Sequence, residues 1–139
     1  MKIFISHASA DREWAERLYR GLVAFGFEVW LDALRLLPGD NWYLETGAAL
    51  RDADAMVVLL SPAAAESDSV GRDVQYALGS ERFRERVFPV LLQASDKIPW
   101  ILRRLKWSQG TPAEVAGQIS DRLRQAPAPQ GSRASASSR

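Results

Sequence analysis

The stretch AMVVLLSP, residues 55–62, decides the fold of this chain. Its first six residues are all apolar, and a run of this kind is typical of a strand that is buried on both faces of a parallel sheet. Shorter runs of apolar and β-branched residues predict three further strands. These strands are Lys2 to Ser6, Phe27 to Leu31 and Val87 to Leu92.

The segment between the first two strands has the pattern of an amphipathic helix. Its large apolar residues at positions 14, 18, 22 and 25 lie on one face of a helix over Asp11 to Ala24. Ser9 or Asp11 is predicted to cap the first amides of this helix. Gly26 is predicted to end it in the left-handed conformation.

Three more helices are predicted along the chain. The second covers about residues 41–51, capped by Asp40, and the third covers about residues 70–80. The last begins at TPAE, residues 111–114, a capping box with proline at the first helical position. Strands that alternate with helices form βαβ units. With a fifth strand near residues 106–107, the sequence predicts an α/β fold of the flavodoxin-like type, a five-stranded parallel sheet in the order 2-1-3-4-5 flanked by helices.

The composition limits the functions that are open to the chain. The net charge of the 139 residues is +1, which predicts neither a nucleic-acid nor a membrane partner. The sequence has no cysteine and one histidine, His7, so thiolate and multi-histidine metal sites are excluded. It has no signal-peptide pattern and no run of about 18 apolar residues, and we expect a cytoplasmic protein. We expect one domain over residues 1–125, followed by a disordered Pro/Ala/Ser-rich tail or linker over residues 126–139.

A parallel sheet in this order binds ligands beyond the carboxyl ends of its strands, where the strand order reverses. That point lies between the first and third strands, so residues 6–9 and 61–63 are expected to border it. The loop with Pro38 and Gly39 and the start of the third helix, residues 69–73, are expected at the same edge. No glycine-rich phosphate loop follows the first strand, and no Walker-type or serine-hydrolase motif occurs.

Four segments, in order along the chain, resemble the TIR (Toll/interleukin receptor/resistance) family in its bacterial branch. They are residues 3–11, 26–40, 55–62 and 88–91. The resemblance covers about residues 1–110 and implies the flavodoxin-like TIR fold. It also implies one of two kinds of function: association of one TIR domain with another, or cleavage of NAD at the bond between nicotinamide and ribose.

The NAD-cleaving members of this family carry an essential glutamate on the third helix, four residues after a tryptophan, and this glutamate contacts the ribose. In this sequence Asp73 stands at the glutamate position and Ser69 at the tryptophan position. Aspartate is one methylene shorter, which withdraws the carboxylate by roughly 1 Å and can cost on the order of 100-fold in rate. The resemblance implies Asp73 as the catalytic residue, with NAD as substrate or ligand and no resident cofactor or metal. The residues implied in NAD binding are Ser6, His7, Ala8, Asp32, Leu37, Pro38, Gly39, Ser61 and Ser69.

Two functions stay open on this basis. The first is an NAD-binding and NAD-cleaving protein, a glycohydrolase or ADP-ribose cyclase, in immune or anti-phage signalling. The second is a non-catalytic adaptor that associates with itself or with another TIR or effector protein. In this case the apolar residues Leu36, Leu37, Pro38 and Trp42 belong to an interaction patch. A phosphorylation receiver is disfavoured because it needs acidic residues where Ser6 and Ser61 stand. A nucleoside deoxyribosyltransferase-like enzyme is a further alternative on a related fold.

Two groups of charged residues have other interpretations. Glu66 and Asp68 are alternative carboxylates for the role of Asp73, although their spacing departs from the family pattern. The arginines at positions 82, 84 and 86 alternate with glutamates, which predicts a solvated, salt-bridged face.

Overall fold

Four parallel strands form the sheet. The computed structural model describes residues 1–31, 42–83, 85–93 and 107–125. Within these residues the strands are β1 (Lys2–Ser6), β2 (Glu28–Trp30), β3 (Ala55–Leu60) and β4 (Val87–Leu91), in the order β2-β1-β3-β4. The α/β class, the parallel sheet and the order of the first four strands are therefore confirmed.

The strand β3 is central in the sheet. On one side it pairs with β1, where Ile3 lies beside Ala55 and Ser6 beside Val58, and on the other side it pairs with β4. All six side chains of β3 are buried. The six residues are continuously apolar because this strand has neighbours on both sides and helices over both faces.

The prediction of a fifth strand in the order 2-1-3-4-5 is wrong. In the part of the chain that the structure describes, only an isolated bridge between Val90 and Ser108 stands at this place. Ser108 accepts a hydrogen bond from the Leu91 amide and donates one to the Pro89 carbonyl, both at 2.9 Å. On the C-terminal side of Ser108 the chain leaves the sheet at Gly110, where a φ of +137° turns it toward the last helix.

Five α-helices flank the sheet within the described residues. They are α1 (Arg12–Ala24), α2 (Trp42–Asp52), α3 (Pro62–Ala65), α4 (Asp68–Leu78) and α5 (Pro112–Gln125), with 3-10 turns at Ser9–Asp11 and Glu81–Phe83. None of these helices combines the length and the apolar composition that a membrane crossing requires. The sequence does not predict the short helix α3. The helix α4 begins earlier than predicted, because the Ser67 hydroxyl accepts a hydrogen bond from the Val70 amide and caps it there.

The helices α1 and α5 cover one face of the sheet. Leu18 and Leu22 of α1 are fully buried against this face, as the apolar pattern predicts. The two helices approach so closely that a Cβ atom on Gly21 would lie 2.9 Å from the Cβ of Ala116. Phe25 ends the predicted stripe and stays 44% exposed, with the Arg124 guanidinium 6.0 Å from the centre of its ring.

The opposite face packs against the side of the molecule that carries α2 and α4. Phe4 and Met56 point to this face and contact buried residues that include Leu50 and Ala77. Nearer the carboxyl ends of the strands, buried apolar side chains from β3 and α4 form a second cluster with Ala8. Successive strand residues alternate between the two faces, so Ser6, two positions after Phe4, also points toward α4.

The ends of the helices show which of the predicted caps form. Asp11 makes no side-chain cap for α1, so the cap prediction is wrong for this residue; its carboxylate is engaged elsewhere. Gly26 has a φ of +97° after α1, which confirms the left-handed stop. The capping box at α5 is confirmed, because the Thr111 hydroxyl accepts from the Glu114 amide at 3.2 Å and Glu114 Oε1 accepts from the Thr111 amide at 2.8 Å. The predicted cap Asp40 lies outside the described residues.

The predicted solvated arginine face is wrong for Arg86. This side chain is only 2% exposed, and burial lowers the pKa of its guanidinium, against the opposing attraction of Asp54 and Glu85. Arg82 does remain exposed and forms an ion pair with Asp54 at 2.8 Å. Arg86 directly precedes β4, and its backbone position directs the side chain into the interior. Arg84 lies outside the described residues, as does the predicted tail over residues 126–139.

Candidate functional site

The carboxyl ends of the four parallel strands meet at one edge of the sheet. β1 ends at Ser6 and β3 at Leu60, and these two strands are neighbours. From β1 the chain turns to the α1 face, and from β3 it turns to the α4 face. The two connections therefore diverge at this point, and α/β sheets of this order bind ligands in the crevice that forms where such connections diverge. This crevice is called the switch-point crevice below.

Ser6 and Asp73 are in direct contact at the switch-point crevice. The Ser6 hydroxyl donates a hydrogen bond to Asp73 Oδ2 at 2.9 Å, although the two residues are 67 positions apart in the sequence. Ser6 is 1% exposed, and Asp73 is half-buried on α4. The carboxylate of Asp73 is thus directed toward the end of β1 and not into bulk solvent.

A second serine–aspartate hydrogen bond crosses the same crevice. The Ser61 hydroxyl, immediately after β3, donates to Asp11 Oδ2 at 2.6 Å. Ser61 also accepts a hydrogen bond from the Ala64 amide at 3.1 Å, so it caps α3. Each strand-end serine therefore contacts an aspartate from the connection that follows the other strand. The contact between Ser61 and Asp11 was not expected, because nothing in the local sequence pairs residues 50 positions apart.

His7 and Ala8 form the start of the connection after β1. The Nδ1 atom of half-buried His7 lies 2.8 Å from the Ala8 carbonyl, a distance at which the ring donates a hydrogen bond. The side chain of Ala8 is buried in the apolar cluster with Val58 and Val70. A ligand in the crevice can thus contact Ala8 only through its backbone.

The start of α4 keeps Ser69 near Asp73. These residues are four apart on one helix and therefore lie on the same face. The Ser69 hydroxyl is 3.2 Å from the hydroxyl of Ser67, the residue that caps the helix. The alternative carboxylates Glu66 and Asp68 are both exposed, unlike Asp73.

Four residues implied in NAD binding lie outside the described residues. They are Asp32, Leu37, Pro38 and Gly39. The structure brings the other implied residues to the carboxyl edge of the sheet, and their binding roles stay predictions. Across the described residues, no three His, Cys, Asp or Glu side chains are grouped so that they could hold a metal ion.

An open cavity of about 490 Å³ adjoins the crevice on the α1 side. Asp11 and Ser61, which form the hydrogen bond described above, line it together with Trp14 and Leu92. Trp14, on the predicted apolar face of α1, is half-buried and packs against the core. A second cavity of about 360 Å³ lies at the opposite edge, beside Lys2 and Glu28 at the amino ends of the strands, and contains none of the implied residues.

Comparison with known proteins gives a family and a fold. A family model for the TIR domain matches residues 3–123. An uncharacterized protein of Sinorhizobium fredii is 36% identical over 104 residues, which are 69% of this chain and 16% of that protein. A probable 2′ cyclic ADP-D-ribose synthase of Brachypodium distachyon is 29% identical over 91 residues, which are 64% of this chain and 39% of that protein. The chain thus spans well under half the length of these relatives.

Two solved structures share the fold. The TIR domain of a Toll-related receptor from Hydra magnipapillata superposes with a TM-score of 0.71 at 18% identity, and the match covers 88% of this chain and 94% of that one. A metazoan TIR-STING receptor from C. gigas, in complex with 2′,3′-cGAMP, superposes with a TM-score of 0.74 at 22% identity. That match covers 91% of this chain and 40% of the receptor chain. At these identities the likeness supports the architecture alone.

Proposed function

The chain belongs to the TIR domain family, and from this premise we propose that it binds NAD in the switch-point crevice and cleaves the bond between nicotinamide and ribose. The observation that carries the proposal is the hydrogen bond between Ser6 and Asp73. It holds a carboxylate at the ligand-binding edge of the sheet, at the position where the family resemblance implies one.

The proposed chemistry needs a negative charge beside the ribose. When the C1′–N bond breaks, its electron pair leaves with nicotinamide and the ribose gains oxocarbenium character. The Asp73 carboxylate is proposed to stabilise this charge and to accept hydrogen bonds from the ribose hydroxyls. Attack of water on C1′ then gives ADP-ribose and releases one proton.

The cyclic product is a second outcome of the same step. If a hydroxyl of the ADP-ribose unit attacks C1′ in place of water, the product is a cyclic isomer and the same proton is released. The similarity to a probable 2′ cyclic ADP-D-ribose synthase supports this route. We propose a role in immune or anti-phage signalling in the cytoplasm, with the released nucleotide as the signal.

The proposal is tested by incubating the purified chain with NAD and measuring nicotinamide by chromatography. Asp73→Asn keeps the shape of the side chain and removes its charge, and it is expected to reduce nicotinamide release at least about 100-fold. Asp121→Asn is the matched variant, because Asp121 is an exposed aspartate on α5, which lies on the opposite face of the sheet. Equal losses in both variants, or a wild-type chain that releases no nicotinamide at high protein concentration, would contradict the proposal.

Association with a TIR partner stays the alternative function. The loop residues Leu37, Pro38 and Gly39, on which this prediction depends, lie outside the described residues. The specific observation in its favour is the exposure of two large side chains on α4, Tyr76 at 42% and Leu78 at 39%. Light scattering over a range of protein concentrations tests this alternative. An adaptor is expected to self-associate or to bind a second TIR domain. Substitution of Leu37 is expected to abolish that association.

A further inference from the structure

We infer that Ser6 is a positioning residue, whose hydroxyl fixes the Asp73 carboxylate in place beside the ribose of NAD; this inference rests on the proposed function. The family resemblance implies Ser6 as a residue that binds the ligand. The structure directs its side chain to Asp73 instead, at 2.9 Å. The partner of the Ser6 hydroxyl is therefore the catalytic carboxylate and not the ligand.

The location of Ser6 suits a positioning role. It is the last residue of β1, and its backbone pairs with Val58 on the central strand β3. A side chain on a paired strand is held more rigidly than one on a loop, so the hydroxyl occupies a defined place. At 1% exposure it is also protected from water, which would otherwise compete for the hydroxyl proton.

The surroundings of the pair strengthen the hydrogen bond. Val70 and Val74, on either side of Asp73 along α4, are buried in the apolar cluster with Val58. A hydrogen bond to a charged acceptor is stronger than one between neutral groups, and it is stronger still where water is excluded. The bond restricts rotation of the carboxylate. A carboxylate at a reacting centre has to keep a fixed orientation toward the substrate.

The aspartate side chain makes this restriction more important. Compared with the glutamate that the family resemblance implies, Asp73 places its carboxylate nearer to the α4 backbone by about 1 Å. Only a donor that is close to the helix can hold it there, and Ser6, on the strand face directed toward α4, is such a donor. The pair thus acts as a unit formed between β1 and α4.

Ser6→Ala tests the inference because it removes only the hydroxyl oxygen. Nicotinamide release is expected to fall about 10- to 100-fold in kcat, the range for loss of a hydrogen bond to a charged group, with KM for NAD within about twofold. In the Asp73→Asn background the same substitution is expected to change the residual rate by less than about twofold, since the two side chains act as a unit. Ser6→Thr keeps a hydroxyl on a β-branched side chain that suits a strand, and it is expected to recover most of the rate.

The matched control is Ser120→Ala. Ser120 is fully buried on α5, on the opposite face of the sheet, so the substitution makes the same chemical change away from the crevice. It is expected to leave kcat and KM unchanged. Thermal unfolding of each variant confirms that it is folded at the assay temperature.

The outcomes separate the inference from the proposed function. If the wild-type chain releases nicotinamide and Ser6→Ala does so at the same kcat, the inference is overturned and the proposed function stands. If Ser6→Ala raises KM and leaves kcat unchanged, Ser6 contacts the ligand and the positioning role is overturned. A wild-type chain without activity overturns both.

Discussion

Ser61 donates a hydrogen bond to Asp11 across the switch-point crevice, in the opposite sense to the bond from Ser6 to Asp73. At 2.6 Å it joins the connection after β3 to the connection after β1. The two connections leave the sheet toward different faces, and these two bonds link them at the carboxyl edge of the sheet.

Removal of the Ser61 hydroxyl is expected to destabilise the chain. Ser61→Ala loses both the bond to Asp11 and the cap of α3, and the free energy of unfolding should fall by about 1–2 kcal/mol. Asp11→Asn keeps a neutral acceptor for the same hydroxyl and should cost less than about 1 kcal/mol. Urea unfolding of both variants measures the difference in their free energies of unfolding. Equal losses in the two variants would show that the cap of α3 contributes nothing.

Asp73→Glu restores the side-chain length that the family resemblance implies. We expect nicotinamide release to rise about 10- to 100-fold, because the carboxylate extends further into the crevice by about 1 Å. Thermal unfolding serves as the check on folding. A lower rate in a folded Asp73→Glu variant would mean that the crevice is adapted to aspartate.

Substitution of glycine by alanine is expected to change the stability in opposite directions at two positions. Gly21→Ala places a Cβ 2.9 Å from the Ala116 Cβ between α1 and α5, and we expect it to cost about 1–3 kcal/mol of unfolding free energy. Gly71→Ala is the control, because Gly71 is exposed on α4 and a Cβ there meets nothing within 4 Å. Since alanine favours helix more than glycine, Gly71→Ala should stabilise the chain by about 0.5–1 kcal/mol. Urea unfolding compares the two, and a stabilised Gly21→Ala variant would contradict the close packing of the helices.

The exposed ion pair between Lys2 and Asp52 predicts a dependence of stability on pH. The hydrogen bond and the charge of Lys2 hold the pKa of Asp52 below its usual value, and Asp52 raises the pKa of Lys2. The contribution of the Asp52 carboxylate to the stability of the folded chain is present above the unfolded pKa of about 3.9. It is lost as the pH falls through the lower pKa that Asp52 has in the folded chain. The contribution of the Lys2 ammonium to the stability of the folded chain is present below the unfolded pKa of about 10.4. It is lost as the pH rises through the higher pKa that Lys2 has in the folded chain.

Asp52→Asn tests this dependence. Its stability should be slightly below that of the wild-type chain near pH 7, and the difference should disappear as the pH falls through the lowered folded pKa of Asp52 and the carboxylate becomes protonated in the folded chain as well. Because both side chains are exposed, the difference at neutral pH should shrink in about 1 M NaCl. A difference that is unchanged by salt would point to a packing effect.

Local patterns in the sequence predict most of the fold. The strand over residues 55–60 is confirmed at its predicted bounds, because six apolar residues can be buried on both sides only at the centre of such a sheet. Gly26 and the capping box at Thr111 are also confirmed, since turns and caps depend on residues close together in the chain. The carboxyl edge between β1 and β3 follows from strand order alone.

Contacts between distant residues could not be predicted in this way. The single bridge at Ser108 in place of a fifth strand, the burial of Arg86, and the partners of Ser6 and Ser61 all depend on segments that meet only in the folded chain. A short-range pattern carries the preference of a residue for helix, strand or turn, but it does not carry the identity of the group that chain packing places beside a hydroxyl or a guanidinium. The carboxylate of Asp73 is therefore present in the sequence, while its contact with β1 exists only because the right-handed crossovers place α4 over the end of that strand.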